Sequence, residues 1–416
     1  MRASGRRLLK TGLQQCSSPL NSPLRLSRTT SLQIKTAVTS ELSIFAARLR
    51  EHIAIWCDEL RSSPAPEDTC LTGHTDTEFN GLALTLFTLQ FGHNEPYRKL
   101  CIARGMTPGN VTHWTQIPTV PTAAFKEFEM TCLPQEQRTR VFHSSGTTEQ
   151  RPSRHFHNAE SLAVYEASLW PWMRENLRFT IGDLRLLSLT PPAGQVTHSS
   201  LVYMFDVAQQ KMGADESAFV GRVGADGVWT LDFDVALAAL MQADGRPLLV
   251  VGTAFSFVHL LDELAARNPR LKLPAGSRVL ETGGYKGRSR SMPKAELHAL
   301  ITERLGVASS NIICEYGMSE LSSQAYQQRL KPQVSGLKSG SAFHFPPWTR
   351  ARVISPETSR EVNDGDTGIL SIVDLANVFS VMAIQTEDLA VRRGDGFELL
   401  GRAAMSEPRG CSLTAA

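Results

Sequence analysis

The chain has 416 residues, 42% of them hydrophobic and 20% charged, with a formal net charge of +2. That length and balance describe a globular protein of one large α/β domain with attachments, or of two ordinary domains. They offer no whole-molecule attraction for nucleic acid or an anionic membrane, and no apolar run reaches the ~18 residues of a membrane-spanning helix.

Residues 1–40 stand apart as a basic arm. Arg2, Arg6, Arg7, Lys10, Arg25, Arg28 and Lys35 are spread among serines, and the first acid is Glu41. The composition fits a disordered arm, an upstream start codon or an organelle-targeting presequence, and it lacks the apolar stretch of a secretory signal. From Glu41 to about Gly105 the pattern is helical. Leu42, Ile44, Phe45, Leu49, Ile53 and Trp56 recur near the helical period, and a second apolar helix is predicted over Phe79 to Phe91. Pro118 and Pro121 then break regular structure before a short helix, Ala123 to Met130, with Phe125 and Lys126. These helices form a predicted cap on the α/β domain C-terminal to them.

After residue 140, short apolar runs alternate with amphipathic ones. Leu184 to Leu189, Pro247 to Val251, Arg278 to Leu280 and Asn311 to Cys314 read as buried strands; Phe233 to Gln242, Phe257 to Ala266 and Pro293 to Leu305 read as helices. Such alternation implies a mainly parallel sheet covered on both faces. From about Ser341 the helical pattern stops, and Ala351 to Ile354, Thr367 to Val373 and Leu389 to Arg392 read as a small β-rich subdomain. The predicted division is therefore 1–40, a cap and α/β core over 41–340, and a β-rich subdomain with tail over 341–416. The seven cysteines, Cys16, Cys57, Cys70, Cys101, Cys132, Cys314 and Cys411, are scattered without close pairs. That spacing argues against a zinc site or a disulfide framework and suits a reducing compartment such as the cytoplasm.

Four local patterns carry chemistry. Ser144, Ser145, Gly146, Thr147 and Thr148 follow the apolar pair Val141 and Phe142. Hydroxyls around a glycine can turn N–H and O–H donors toward an anion, and Arg151 and Arg154 follow closely. The lysine and second glycine of a P-loop are missing. Glu315, Tyr316, Gly317, Met318, Ser319 and Glu320 sit at a predicted strand end, where open α/β sheets bind ligands. There Tyr316 can lie against a purine, Ser319 can donate to a phosphate, and Glu320 is a hard oxygen ligand suited to magnesium. Glu281, Thr282, Gly283, Gly284, Tyr285 and Lys286 follow another strand, with paired glycines permitting close backbone approach. Last, Thr386 and Asp388 precede Gly401 and Arg402 by about fourteen residues, and a carboxylate such as Asp388 can accept from both hydroxyls of a ribose. Each pattern alone also fits an ordinary turn. Their order carries the reading.

That order resembles the adenylate-forming enzymes, and within them the acyl-protein synthetase family of bacterial bioluminescence, the LuxE type, a long-chain fatty acid ligase. Ile117 to Lys126, the His198, Ser199, Ser200, Leu201 run, Glu281 to Lys286, and the tail from Gly401 through Ser406, Glu407, Pro408, Arg409 and Gly410 to Cys411 are similar to that family in particular. The resemblance covers roughly residue 42 to the end. It implies an α/β adenylate-forming domain with a mainly parallel sheet and a small C-terminal β-rich part. It implies ATP and Mg2+ as cofactors, Ser144 to Thr148 around the phosphates, and Gly283, Gly284 and Tyr316 around the adenine. Ser319 would lie near the α-phosphate, Glu320 would be the metal ligand, Asp388 would hold the ribose with Arg402 nearby, and Cys411 would accept the acyl group.

Three features depart from the pattern. Glu149 stands where the phosphate loop usually has glycine, and Glu387 replaces the glycine before Asp388. The chain also ends soon after Arg402, without the roughly hundred-residue mobile domain that supplies a lysine in larger relatives. Charge neutralisation is left to Arg151, Arg154, Lys286 or Arg288. A tail thiol makes chemical sense, since it conserves the activation of an acyl-adenylate as a thioester and Arg409 is available to favour the thiolate. The resulting expectation is activation of a fatty acid, capture on Cys411 and transfer to a partner such as a reductase or carrier protein. The rival readings are a ligase acylating coenzyme A, a carrier protein or an amine, and a non-catalytic nucleotide-binding protein. Thr253 to Phe257 and Val202 to Phe205 are the candidate lining of the acid pocket.

Overall fold

The computed structural model describes residues 28–62, 74–144, 151–213, 218–225, 227–242, 245–269, 271–283, 292–329 and 341–402. The chain divides into Met1–Ser40 and Glu41–Ala416, and the sheet architecture belongs to the second unit. No described helix is long and apolar enough to cross a membrane.

Helices α1 (Arg28–Ser62), α2 (His74–His93) and α3 (Glu95–Ala103) come first. On α1, Leu42, Phe45, Ala46, Leu49, Ile53 and Trp56 are buried, while Ile44 falls off that face and is 60% exposed. On α2, Phe79, Leu82, Ala83, Leu86 and Phe87 repeat the same helical stripe. Asn94 separates α2 from α3, because its side chain caps the new helix by accepting from the Tyr97 N–H. The proline segment then forms β1 (Val120–Pro121), followed by α4 (Ala124–Glu127).

Two short strands, β2 (Arg140–His143) and β3 (Arg154–His157), pair as a hairpin before α5 (Ala159–Leu177). Next come β4 (Arg185–Ser188), α6 (Ser200–Met212), β5 (Ala218–Phe219), the hairpin β6 (Gly221–Val223) with β7 (Trp229–Leu231), and α7 (Phe233–Met241). The βα succession continues through β8 (Leu248–Thr253), α8 (Ala254–Arg267), β9 (Arg278–Thr282), α9 (Lys294–Leu305) and β10 (Ile312–Tyr316). Strands β11 (Ala325–Arg329), β12 (Ser341–His344), β13 (Thr349–Ile354), β14 (Thr367–Asp374), β15 (Ala383–Arg393) and β16 (Gly396–Arg402) complete the described chain.

One sheet organises these elements, with strand order β13-β14-β15-β16-β12-β11-β10-β9-β8-β4-β5 and β1 added beside β15. From β5 to β10 all pairs are parallel, and from β10 to β13 all are antiparallel. The parallel half is the one expected from alternating strands and helices. Its strands are buried on both faces: Leu249 and Val251 of β8 enter one core with α1, α2, α5 and α6, and Leu248 and Val250 enter another with α7, α8 and α9. The C-terminal strands hydrogen-bond onto this half through β11 and so extend the same sheet.

Helix α8 begins three residues before its predicted start because Thr253 caps it, accepting from the Ser256 N–H. Helix α5 has no counterpart among the predicted helices, and Pro171 lies inside it. Of the candidate acid-pocket residues, Phe205 packs in the core shared with α1, α2 and α5 and Phe257 in the core of α7, α8 and α9.

At the end of β14, Asp374 is fully buried. Its carboxylate accepts from the N–H groups of Ser322, Ser323 and Ala376, from the Ser323 hydroxyl and from the Thr349 hydroxyl, at 2.7 to 3.1 Å. Burial raises its pKa above the usual carboxylate value, and the surrounding donors oppose that rise. Asp374→Ala orphans these donors, and we expect it to cost about 3 kcal/mol, read as a lower urea midpoint, with Asp374→Asn losing less.

Candidate active site

The site is built at the carboxyl end of β10, where the chain turns through Gly317 to Glu320. At Gly317 a Cβ would run into Glu315 Oε1, so any larger residue there requires the Glu315 carboxylate to move. Glu315 is itself buried and accepts a short hydrogen bond from Thr282 at the end of β9. Gly283 follows with φ +69, the left-handed region that favours glycine, and ends that strand.

Ser319 and Glu320 are both buried. The Ser319 hydroxyl donates to Glu320 Oε2 at 2.9 Å and lies 3.3 Å from the Ser153 hydroxyl. The Ser153 N–H donates to Ser144 Oγ at 3.0 Å, and the Ser144 N–H donates back to the Ser153 carbonyl at 3.3 Å. A continuous hydrogen-bonded chain therefore runs from Ser144 at the mouth of the β2–β3 hairpin to Glu320 after β10. Two neighbours fix it. His155 holds the Ser319 carbonyl through Nδ1 at 2.9 Å, and Asn377 Nδ2 donates to the Glu320 carbonyl at 2.9 Å.

The other side of the site comes from β15 and β16. Tyr316 donates its hydroxyl to Asp388 Oδ2 at 2.8 Å, while its ring is packed among Phe343, Phe345 and Phe397. Asp388 pairs with Arg402 in the β15–β16 register, and Arg402 Nε is 4.0 Å from Asp388 Oδ1. Burial raises the pKa of Asp388, and the Tyr316 hydroxyl and Arg402 oppose that rise. Thr386 explains the threonine two residues earlier: its hydroxyl donates to the Leu370 carbonyl and accepts from the Asp388 N–H. Glu387, the departure from the family pattern, shares Arg402 at 4.0 Å. The proline segment also acts here, since Val120 pairs with Ile384 and the Thr122 N–H donates to the Gln385 carbonyl, bracing β15 just before Asp388.

Of the sequence-predicted residues, Ser144, Gly283, Tyr316, Ser319, Glu320, Asp388 and Arg402 are described: Ser144 follows β2, Gly283 follows β9, Tyr316, Ser319 and Glu320 lie at and after the end of β10, and Asp388 in the middle of β15 faces Arg402 at the end of β16. Ser145, Gly146, Thr147, Thr148, Gly284 and Cys411 lie outside the described residues, as do Glu149, Lys286 and Arg288. Arg154, a candidate for charge neutralisation, lies 3.5 Å from Glu129. The His198 motif has a local structural role: Ser199 caps α6, and the His198 ring stacks on His143 at 4.6 Å.

Ser153, His155, Asn377 and Asp374 were not singled out from sequence. The alternation of β3 is the signal that reaches His155, because it turns His155 and His157 inward together while Arg154 and Phe156 face outward. Phe125 of α4 packs edge-on against His155, which gives the Phe–Lys pair of the proline segment a contact with the site.

The family model for acyl-protein synthetase, LuxE, matches residues 72–416. A curated relative, the long-chain-fatty-acid–luciferin-component ligase of Aliivibrio fischeri, is 23% identical over 79% of this chain and 85% of its own length. Among solved structures, 2-hydroxyisobutyryl-CoA ligase in complex with 2-HIB-AMP and CoA shares the fold, with a TM-score of 0.58, 14% identity, and coverage of 82% of this chain and 74% of that one. ATP-bound MatB from Rhodopseudomonas palustris matches at 19% identity and a TM-score of 0.44 over 66% of this chain. This chain spans about half the length of that structure, 50%.

Burial lowers the pKa of His155 from 6.5 to about 4, and His157 is lowered too, so both are neutral in the fold. Between those pH values the unfolded chain binds protons that the folded chain refuses. Stability is therefore full above pH 6.5 and falls as pH drops toward about 4, with His155 accounting for about 3 kcal/mol of the loss. Thermal unfolding midpoints across that window should show the fall, and His155→Gln should make it shallower. A residue range that takes in nearly the whole described fold and every residue of the site places the chain in one family: it belongs to the acyl-protein synthetases of the LuxE type, ligases that activate an acyl group with ATP.

Proposed function

We propose that the chain activates a long-chain fatty acid with ATP at the end of β10, holds the acyl group on Cys411 as a thioester, and passes it to a partner such as a reductase or a carrier protein. The observation that carries this reading is the convergence of two hydrogen-bonded sets on one turn. Ser144, Ser153, Ser319 and Glu320 supply hydroxyls and a carboxylate, and three residues before Ser319 the Tyr316 hydroxyl fastens Asp388. The name of the Aliivibrio fischeri relative, a long-chain-fatty-acid–luciferin-component ligase, supports the choice of acid.

In this reading Ser144 and the hydroxyl-rich residues after it, Ser145, Gly146, Thr147 and Thr148, cradle the phosphates, with Ser319 next to the α-phosphate. Asp388 accepts from the ribose hydroxyls. Tyr316 keeps that carboxylate aimed, and Arg402 balances its charge. Gly283 and Gly284 border the adenine, where a missing side chain leaves room for a flat ring. Glu320 offers a carboxylate bonded to the Ser319 hydroxyl, which in turn meets the Ser153 hydroxyl, and oxygen donors of this kind are the chemistry magnesium prefers. Glu320 would hold the ion, and bound Mg2+ would offset the negative charge of the phosphates.

The chemistry follows from charge and leaving groups. A carboxylate oxygen of the acid attacks the α-phosphorus, the bond to pyrophosphate breaks, and the acyl-adenylate remains. The Cys411 thiolate then attacks the acyl carbon and AMP leaves, so the activation survives in a thioester.

Asp388→Ala is expected to lower acid-dependent ATP–pyrophosphate exchange by about 100-fold, in the range for losing a charged contact to the nucleotide; exchange at the wild-type rate would remove Asp388 from the site. With radiolabelled fatty acid and ATP, the wild-type chain should keep label after denaturation and Cys411→Ala should not. Equal labelling of the two contradicts the thioester step.

A further inference from the structure

A second cluster of chemically active side chains lies outside these roles. Glu281 on β9 and Cys314 on β10 are direct partners in the parallel register, and His298 of α9 lies over them. The Cys314 Sγ donates to Glu281 Oε2 at 3.0 Å, His298 Nε2 is 3.6 Å from the sulfur, and the same nitrogen is 3.6 Å from Glu281 Oε2. Glu281 and Cys314 are buried, whereas the His298 side chain is 21% exposed, so the cluster has a path to solvent.

We propose that Glu281, His298 and Cys314 form a three-ligand site for a divalent ion of the zinc class. Bond lengths to zinc of about 2.3 Å from sulfur and about 2.0–2.2 Å from nitrogen and oxygen, at tetrahedral angles, put ligand atoms about 3.4–3.6 Å apart. Both distances to His298 already match that spacing. The shorter sulfur–oxygen distance is that of the hydrogen bond the ion replaces. One thiolate, one imidazole and one carboxylate suit a borderline-soft ion and suit magnesium poorly.

Burial and the Glu281 carboxylate hold the thiol protonated, so binding the ion releases that proton to solvent. Lys294, the cation facing the thiol, also donates to Gln327 at 3.2 Å and lies over the Phe343 ring, which gives it other partners once the sulfur is taken. The ion would tie β9 to β10 one residue before Thr282 and Glu315, beneath the strand ends that carry the turn. The site is distinct from Glu320 and does not depend on the ligase reading.

The test uses the full chain, stripped with chelator and titrated with Co2+ and then Zn2+. We expect one Co2+ per chain, with a thiolate-to-cobalt absorption band in the near ultraviolet and tetrahedral bands in the visible, both abolished by Zn2+. Cys314→Ser should lose the thiolate band. His298→Gln should weaken Co2+ binding by about 100-fold or more, beyond the 10–100-fold typical of losing an outer-shell partner. Cys411→Ala should keep the band, which separates the site from the tail thiol. Absence of the band in the wild type, its persistence in Cys314→Ser, its loss in Cys411→Ala, or unchanged affinity in His298→Gln each overturns the proposal. If Cys314→Ser fails to fold, His298→Gln decides, because that side chain is partly exposed and its loss leaves the core filled.

Discussion

Everything at the end of β10 depends on one buried carboxylate. A turn that presents Ser319 and Glu320 inward must leave the backbone N–H groups after them without strand partners, and buried N–H groups cannot be left unpaired. Asp374 takes those of Ser322 and Ser323 and adds the Ala376 N–H on its own side. The turn after β10 and the turn after β14 are thereby joined through a single side chain. The cost of burying the charge is offset by donors from three separate segments.

The helical cap reaches the site through the same region. Gln90 of α2 donates to the Asn377 carbonyl and accepts from the Met382 N–H, and Asn94 donates to the Ser380 carbonyl. Asn377 in turn donates to the Glu320 carbonyl. Two fully buried amides, Gln90 on α2 and Asn94 at the cap of α3, thus set the backbone on which Glu320 rides. The proline segment works the same way from the other side, pairing with β15 just ahead of Asp388. Residues that look like packing in the first hundred positions are part of the geometry of the last hundred.

Much of this was legible in the sequence where chemistry and period coincide. The parallel strands announced themselves as unbroken apolar runs, and Tyr316, Ser319, Glu320 and Asp388 stood in patterns whose order carried meaning. What was not legible depends on contacts across long sequence separations. Asp374 ends an apolar strand and looks like any strand-terminal acid until Ser322 and Thr349 are seen beside it. Gln90 lies inside the predicted helix Phe79 to Phe91 and Asn94 just beyond it, and nothing local to either residue points to its distant carbonyl partner. The helix Ala159–Leu177 carries an internal proline, a local signal that packing overrides. Glu281 stands in the motif after one strand and Cys314 among scattered cysteines at the end of another, and only the strand register makes them neighbours.

The central claim is that one pocket between the ends of β9 and β10 and the Asp388–Arg402 pair of β15 and β16 receives the whole acyl-adenylate. The most direct measurement is a crystal structure of the chain with a non-hydrolysable acyl-sulfamoyl adenosine. The account expects the ribose hydroxyls on Asp388 and the sulfamate, standing for the α-phosphate, within hydrogen-bond reach of the Ser319 region. Density for the nucleoside on another surface, with Tyr316 and Asp388 untouched, would contradict it.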